Sequence, residues 1–160
     1  HWCEEEEKIF YDVKKYLRID GIFMLTTVGP STLKELQKAY KHIDVEQHVN
    51  SFTDMHLYGD SLLKCGFDDP VMDSEDIIIE YSTFKEVLNS LKKTGANTVI
   101  GQEPGYLSKK SYMSLSEAYP KNTNNGHFPV TYEMIYGMSW NRLKIDIDHS
   151  QSRVIPIKKI

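Results

Sequence analysis

The chain has 160 residues, which is enough for one domain with a sizeable core, and it is 40% hydrophobic and 26% charged. This composition is ordinary for a folded protein and excludes collagen-like, low-complexity and disordered classes. The formal net charge of −4 disfavours nucleic acid as a partner, because no surplus of positive charge is present to attract phosphates.

The first predicted elements are a helix and a strand. From Glu4 to Leu17 apolar residues recur at spacings of three and four, with acids at the front and bases at the back, which is typical of an amphipathic helix. Asp20-Gly21 ends this helix. The apolar, β-branched run Ile22–Val28 predicts a strand that is buried on both faces.

The connection after this strand contains two predicted helix starts. Thr32 and Glu35 form the pattern T-x-x-E, which predicts a capping box before a short helix. Periodicity is absent from Lys41 to Phe52, which indicates an ordered loop over the strand ends. Asp54 is expected to cap a further helix, which Gly66 ends.

The second half of the chain alternates in the same way. Val71–Tyr81 predicts two strands, or one strand with a bend at its acidic centre. Thr83 and Glu86 repeat the T-x-x-E pattern and predict a capped helix that ends at Gly95. A loop is expected from Ala96 to Leu107, followed by a weaker helix.

The last predicted strand and the fold class follow from these patterns. Strict alternation from Val130 to Trp140 predicts a half-buried strand, and Val154–Ile157 predicts a short edge strand. Helices that alternate with buried strands indicate an α/β fold with a mostly parallel sheet and an antiparallel strand at its edge. Ligands of such sheets bind beyond the carboxyl ends of the strands. We therefore expect function in the connection Gly29–Glu75.

Three histidines fall within this connection: His42, His48 and His56. Their spacings match no compact zinc pattern, so no metal site is expected. His42 is expected to be exposed at a helix end, where a cation is favoured. For His48 and His56 two interpretations stay open, a ligand-binding side chain and a buried polar residue held by a backbone carbonyl.

Several sequence signatures are absent. No serine lies in a G-x-S-x-G elbow, and the chain has neither a G-x-G-x-x-G turn nor a Walker loop. Cys65 lies in a leucine-rich helical pattern, which favours a small buried hydrophobe. Cys3 and Cys65 form neither a disulfide framework nor a pair of metal ligands, so a reducing, cytoplasmic setting is expected. No apolar run is long enough to span a bilayer, and no membrane partner is expected.

Five blocks of this sequence resemble a known family. They are GPSTLKEL (29–36), HVNSFTDMHLYGDSLL (48–63), GFDDPVMDSE (66–75), LKKTGANT (91–98) and TYEMIYGMSW (131–140). In this order they resemble the malonyl-[acyl-carrier protein] O-methyltransferases of biotin synthesis, which depend on S-adenosylmethionine.

The resemblance implies a fold and a reaction. Residues 1–160 would be a single partial domain, the C-terminal half of a class I methyltransferase (Rossmann-like) fold without the N-terminal cofactor-binding half. Ile22–Val28 would be its fifth strand and Val130–Trp140 its last, antiparallel strand. The implied reaction methylates the free carboxylate of a malonyl thioester on acyl-carrier protein or coenzyme A. A carboxylate needs no general base, so alignment and desolvation are expected instead of a catalytic dyad.

The resemblance also implies a substrate pocket in the connection after the fifth strand. Its wall would be formed by Thr32, His48, Phe52, Met55 and His56, and Trp2 would lie beside the cofactor. A protonated His48 or His56 would hold the malonyl carboxylate or the thioester oxygen. Four lysines are candidate contacts of the acidic carrier protein, although solvated surface lysines are the ordinary alternative: Lys92, Lys93, Lys109 and Lys110.

Two other functions stay open. The T-L-x-E-L block and the HV-x-x-F segment are shared with relatives that act in the assembly of respiratory complex I and modify arginine. DMH at Asp54–His56 and DPVMDSE at Asp69–Glu75 fit the biotin enzymes better. The second alternative is a truncated, non-catalytic chain that associates with a partner through an exposed sheet edge and apolar surface.

Overall fold

A computed structural model describes residues 3, 5–43, 49–93 and 108–142. In this part of the chain the elements are, in order, α1 (Glu6–Tyr16), β1 (Gly21–Val28), α2 (Lys34–Lys41), α3 (Met55–Lys64), β2 (Asp68–Tyr81), α4 (Phe84–Lys93), α5 (Lys109–Ala118) and β3 (Phe128–Asn141). The predicted helices and strands in these ranges are confirmed. The expected helix end at Gly95, the loop after it and the edge strand Val154–Ile157 lie outside the described residues.

The three described strands form one sheet in the order β1-β3-β2. β3 pairs antiparallel with both neighbours, so β1 and β2 run parallel to each other on either side of it. The last strand is therefore antiparallel, as predicted, but it lies between the other two and not at an edge. Since Val28 is opposite Met134, the first residues of β3 lie at the carboxyl end of β1.

β2 is a single strand, but the predicted bend at its acidic centre is wrong, because Asp73–Asp76 pair with β3 in continuous register. It pairs with β3 from Asp68 to Tyr81, with a register shift between Asp68 and Val71. The acidic residues Asp73, Glu75 and Asp76 are exposed along it. β2 is one of the two outer strands of the described sheet, and charged side chains are common on outer strands because they discourage pairing with other chains.

β1 is covered on one face only, so the prediction of two buried faces is wrong. Gly21 and Thr27 are buried, whereas Ile22 and Met24 on the opposite face are 43% and 73% exposed. The apolar run correctly predicted a strand. The burial of its second face depends on a neighbouring layer, and the described helices supply none over Ile22 and Met24.

Two apolar clusters hold the helices to the sheet. The larger cluster joins α2, α4 and α5 to the start of β3, and its buried members include Leu36, Phe84, Val87, Leu115, Phe128 and Val130. The smaller cluster joins α1 and α3 to the other part of the sheet through Phe10, Leu62, Cys65 and Phe67. Each large side chain buried in this way stabilises the fold by about 1.5–3 kcal/mol.

Three predicted helix ends are confirmed. Asp54 caps α3, because its carboxylate accepts a hydrogen bond from the N–H of His56 at 2.9 Å. α3 stops at Lys64, and Gly66 just beyond it has a φ of +83°, the left-handed conformation that favours glycine after a helix. Thr83 and Glu86 form a capping box before α4: Glu86 N–H donates to Thr83 Oγ1 at 3.3 Å and Thr83 N–H to Glu86 Oε2 at 3.0 Å.

Candidate functional site

The connection after β1 lies where β1 stops and β3 begins. Gly29 N–H donates to the carbonyl of Glu133 at 2.8 Å, and Leu33 N–H donates to the carbonyl of Thr131 at 2.7 Å. The first residues after β1 therefore stay bonded to β3 until α2 begins at Lys34. The start of α2 is fixed relative to the sheet by this pairing.

The predicted capping box at Thr32 and Glu35 is wrong. The residue before α2 is Leu33, with φ +59° and no side-chain cap. The Thr32 hydroxyl instead accepts from Glu133 N–H at 3.1 Å. The Glu35 carboxylate accepts from Thr131 N–H at 3.0 Å and from the Thr131 hydroxyl. We call Thr32, Glu35, Thr131 and Glu133 the α2–β3 polar cluster.

Glu133 also contributes its side chain to this cluster. Its Oε2 accepts from Ser31 N–H at 2.7 Å, and the carboxylate lies over Gly29. The other N–H groups of the turn donate to backbone carbonyls: those of Gly29, Thr32, Leu33 and Lys34. Since Pro30 has no N–H, every N–H of the turn is therefore bonded.

The backbone N–H groups of this turn are used within the protein. Loops that hold phosphate groups after a strand do so with backbone N–H groups that face the ligand. Here each N–H between Gly29 and Lys34 already donates within the protein. The turn therefore has no free N–H for an anionic ligand group. Trp2, the predicted cofactor contact, lies outside the described residues.

The predicted pocket wall is placed in part. Thr32 is 3% exposed and its hydroxyl is bonded to the backbone of Glu133. Phe52 and Met55 are half-buried at the start of α3, next to His56 in the chain. His48 lies outside the described residues. The structure thus brings Phe52, Met55 and His56 to one helix start, and it places Thr32 in the α2–β3 polar cluster.

His56 is exposed, so the interpretation of a buried residue held by a backbone carbonyl is wrong. Its Nδ1 lies 2.8 Å from Oδ1 of Asp54, the same oxygen that caps the helix. Both bonds to His56 lower the pKa of Asp54, and the bond from the backbone N–H has the larger effect. Asp54 thereby orients the imidazole and leaves Nε2 on the opposite side of the ring.

Glu133 and Thr131 were not identified from the sequence. They occur in the alternating segment TYEMIYGMSW, where Glu133 shares a side of the strand with Ile135 and Gly137. The alternation gave no signal for Glu133, because the more apolar side of this strand in the sequence is the opposite one. Thr27, at the carboxyl end of β1, is a further candidate because its buried hydroxyl has no hydrogen-bond partner among the described residues.

His42 and Cys65 lie where the sequence predicted them. His42 is exposed at the end of α2, as predicted, and Cys65 is a buried free cysteine whose pKa is raised by burial. In the described ranges no group of three His, Cys, Asp or Glu side chains could hold a metal ion. None of the helices described there is long and apolar enough to cross a membrane.

Comparison with curated proteins identifies relatives of this chain, although no family model matches it. It is 41% identical over 140 residues to "Malonyl-[acyl-carrier protein] O-methyltransferase" of Gallionella capsiferriformans, and 33% identical over 162 residues to the protein of that name from Legionella pneumophila. These alignments cover 87% and 100% of this chain and 48% and 57% of the relatives. The chain spans about half the length of the curated relatives it matches.

A more distant relative is "Arginine-hydroxylase NDUFAF5, mitochondrial" of Dictyostelium discoideum. It is 28% identical over 149 residues, which are 88% of this chain and 34% of that protein.

Among solved structures, the YcgJ protein from Bacillus subtilis matches with a TM-score of 0.51 at 12% identity, over 88% of this chain and 59% of that chain. At this identity the likeness bears on the fold alone. With the relatives named as methyltransferases, it supports the predicted class I methyltransferase fold. Over most of its length, this chain is similar to the malonyl-[acyl-carrier protein] O-methyltransferases, which confirms the resemblance found in its sequence.

Proposed function

We propose that this chain is the substrate-side half of an S-adenosylmethionine-dependent O-methyltransferase that methylates the free carboxylate of a malonyl thioester in biotin synthesis. The observation that carries the proposal is the similarity to relatives of that name over most of this chain and about half of their length. Because this chain matches only about half of the length of those relatives, we assign the cofactor to the half that it does not match.

In this proposal the described residues bind and orient the acceptor. The malonyl carboxylate is itself the nucleophile, so positioning and exclusion of water matter more than proton transfer. Phe52 and Met55 supply apolar surface beside His56. A protonated His56, held by Asp54, donates a hydrogen bond to the malonyl carboxylate or the thioester oxygen. This bond has to be modest, because a tight hold on the carboxylate would stabilise the ground state.

The proposed reaction is tested with the full-length polypeptide that contains this chain. It is incubated with S-adenosylmethionine and malonyl-acyl-carrier protein or malonyl-coenzyme A, and the methyl ester is detected by mass spectrometry. Acetyl-acyl-carrier protein, which lacks the free carboxylate, is the control substrate. We expect methylation of malonyl but not of acetyl thioesters. Absence of the methyl ester on both malonyl substrates contradicts the proposal.

Calorimetric titration with S-adenosylhomocysteine tests the assignment of the cofactor to other residues. We expect no binding to the 160-residue chain alone and micromolar binding to the full-length polypeptide. Micromolar binding to the chain alone would contradict that assignment.

The role of His56 is tested by substitution in the active protein. His56→Ala is expected to raise the KM for the malonyl thioester about ten-fold, and Asp54→Asn less, since it removes the charge that orients the ring but keeps a side-chain acceptor. His42→Ala is the matched control, because His42 is also exposed but lies at the end of α2. An unchanged KM in His56→Ala would remove the proposed role.

We further propose that the lysines at the end of α4 and the start of α5 contact the acidic carrier protein in the cytoplasm. These side chains are exposed: Lys92, Lys93, Lys109 and Lys110. Replacing them pairwise by Glu is expected to raise the KM for malonyl-acyl-carrier protein and to leave the KM for malonyl-coenzyme A unchanged. An equal effect on both substrates, or on neither, contradicts the contact.

A second candidate function is modification of arginine, because the similarity to the Dictyostelium arginine-hydroxylase covers 88% of this chain. The same preparation is offered an arginine-containing peptide. A modified peptide without any malonyl ester would favour this candidate.

A third candidate is a non-catalytic chain that associates through its sheet. Met24 and Val71 are 73% and 57% exposed, and the outer edge of β1 is unpaired among the described residues. Sedimentation of the chain tests this candidate, and a monomer that binds no hydrophobic dye would exclude it.

A further inference from the structure

The backbone conformation of Gly29 does not explain why this position has a glycine. The described glycines with positive φ are Gly66 and Gly126, at +83° and +72°, and Gly29 is not among them. An alanine at position 29 would therefore adopt the existing backbone conformation without strain. The restriction comes from a neighbouring side chain: a Cβ at Gly29 would lie 2.5 Å from Cδ and 2.6 Å from Oε2 of Glu133.

The Glu133 side chain is itself held in this position. Its Oε2 accepts from Ser31 N–H at 2.7 Å, and such a bond from an amide to a carboxylate is stronger than one between neutral groups. A carboxylate at the end of a flexible side chain could move away from a new methyl group. It would then leave the Ser31 amide without its acceptor, so a change at Gly29 acts through Glu133.

We propose that Gly29 and Glu133 are a matched pair of positioning residues that fixes the connection after β1 and thereby sets the affinity for the acceptor substrate. This inference rests on the proposed function. Glu133 acts through the Ser31 amide, and its backbone N–H is bonded to Thr32. The same connection leads to Phe52, Met55 and His56. A shift of about 1 Å in such a support can cost up to about a hundred-fold in activity.

If Gly29 and Glu133 act as a matched pair, the effects of substituting them on KM should not add in a double-mutant cycle. Gly29→Ala and Glu133→Ala are each expected to raise the KM for the malonyl thioester about ten-fold, with kcat within about three-fold of native, because both remove the bond to Ser31. The double variant is expected to match Glu133→Ala, since the new methyl group then has room. Glu133→Gln keeps the volume and an acceptor oxygen, so it is expected to restore a near-native KM.

A glycine elsewhere in the chain serves as the matched control. Gly59 lies in α3, and a Cβ there would meet only Cγ of Met72 at 3.5 Å, which is an ordinary contact. Gly59→Ala is therefore expected to leave the KM unchanged. A ten-fold rise in this control would mean that the assay responds to any added methyl group, which overturns the inference from Gly29.

Two readouts separate failure of the pair from failure of the proposed function. The midpoints of urea unfolding are measured for the native chain, the two single variants and the double variant, and they require no activity. If the shifts of the single variants simply add, the matched pair is overturned. If the shifts are non-additive while full-length native protein transfers no methyl group, the pair stands and the proposed function fails. If the shifts are non-additive but the KM of an active protein is unchanged, the positioning role is overturned.

Discussion

The pattern T-x-x-E occurs twice in this chain, and its two copies form different structures. Thr83 and Glu86 bond to each other's backbone N–H groups at the start of α4, and both side chains are exposed. Thr32 and Glu35 bond to β3 instead, and they are only 3% and 8% exposed. The same local pattern therefore caps a helix in one place and joins a helix to a sheet in the other.

The difference follows from the lengths of the strands beside each pattern. β2 continues to Tyr81, which is opposite Phe128 at the start of β3, so the first residues of β3 are paired along that edge. β1 stops at Val28, opposite Met134, and leaves backbone groups of Thr131 and Glu133 without a strand partner on the β1 side. Buried backbone groups need partners, and the residues that follow β1 supply them. Thr32 and Glu35 thus complete the pairing of β3.

The largest expected effect comes from Glu35. Glu35→Ala leaves the buried N–H and hydroxyl of Thr131 without their acceptor, and should lower the free energy of unfolding by about 3 kcal/mol. Glu86→Ala is the matched change in the exposed copy and should cost less than about 1 kcal/mol. Urea unfolding of both variants tests the comparison. Equal costs would mean that the two copies are energetically alike.

Thr32 should show the next largest effect. Thr32→Val keeps the shape but removes the hydroxyl that accepts from Glu133 N–H, so unfolding should become easier by about 1.5 kcal/mol. Thr32→Ser keeps the hydroxyl and should recover most of this loss. If the serine variant were as unstable as the valine variant, the methyl packing of Thr32 and not its hydrogen bond would matter.

The sequence predicted those features that depend on nearby residues. The helix cap at Asp54, the helix end at Gly66 and the capping box at Thr83 each need only a few consecutive residues, and all three are confirmed. The outcome at Thr32 depends on where β1 stops relative to β3, about a hundred residues later in the chain. Periodicity carries no information about that distance.

The candidate site was predictable to a similar extent. Resemblance led to the start of α3, and the structure describes Phe52, Met55 and His56 there. The resemblance did not lead to Glu133. The role of that carboxylate depends on its contact with Gly29, which is distant in the sequence and comes close only because β1 pairs with β3. The 73% exposure of Met24 was likewise not predictable, because an apolar run does not tell whether a second layer covers the strand.

A smaller effect is expected from the exposed copy of the pattern. Thr83→Ala should destabilise the protein by about 1 kcal/mol, because a side-chain acceptor for the N–H of Glu86 is lost. Thr83→Asp should be nearly neutral, since aspartate is also a good helix cap. Thr32→Asp should be costly, because it buries a third carboxylate in the α2–β3 polar cluster, which already contains those of Glu35 and Glu133. If aspartate were tolerated equally at both positions, Thr32 would be acting as an ordinary helix cap after all.

The smallest effect is expected from Asp54, whose side chain caps α3. The bond from the backbone N–H of His56 lowers the pKa of Asp54 most, and the bond to the His56 ring lowers it further. Asp54 therefore contributes stability at a pH above its unfolded pKa of about 3.9. This contribution is lost as the pH falls through the lower pKa of the folded state. His56→Ala removes the ring bond but keeps the backbone bond, so the pKa of Asp54 should rise only part of the way. Carbon-detected NMR titration of both proteins measures this shift. A full return to the ordinary value would mean that the ring alone holds the carboxylate, and that Asp54 does not cap α3 as Thr83 caps α4.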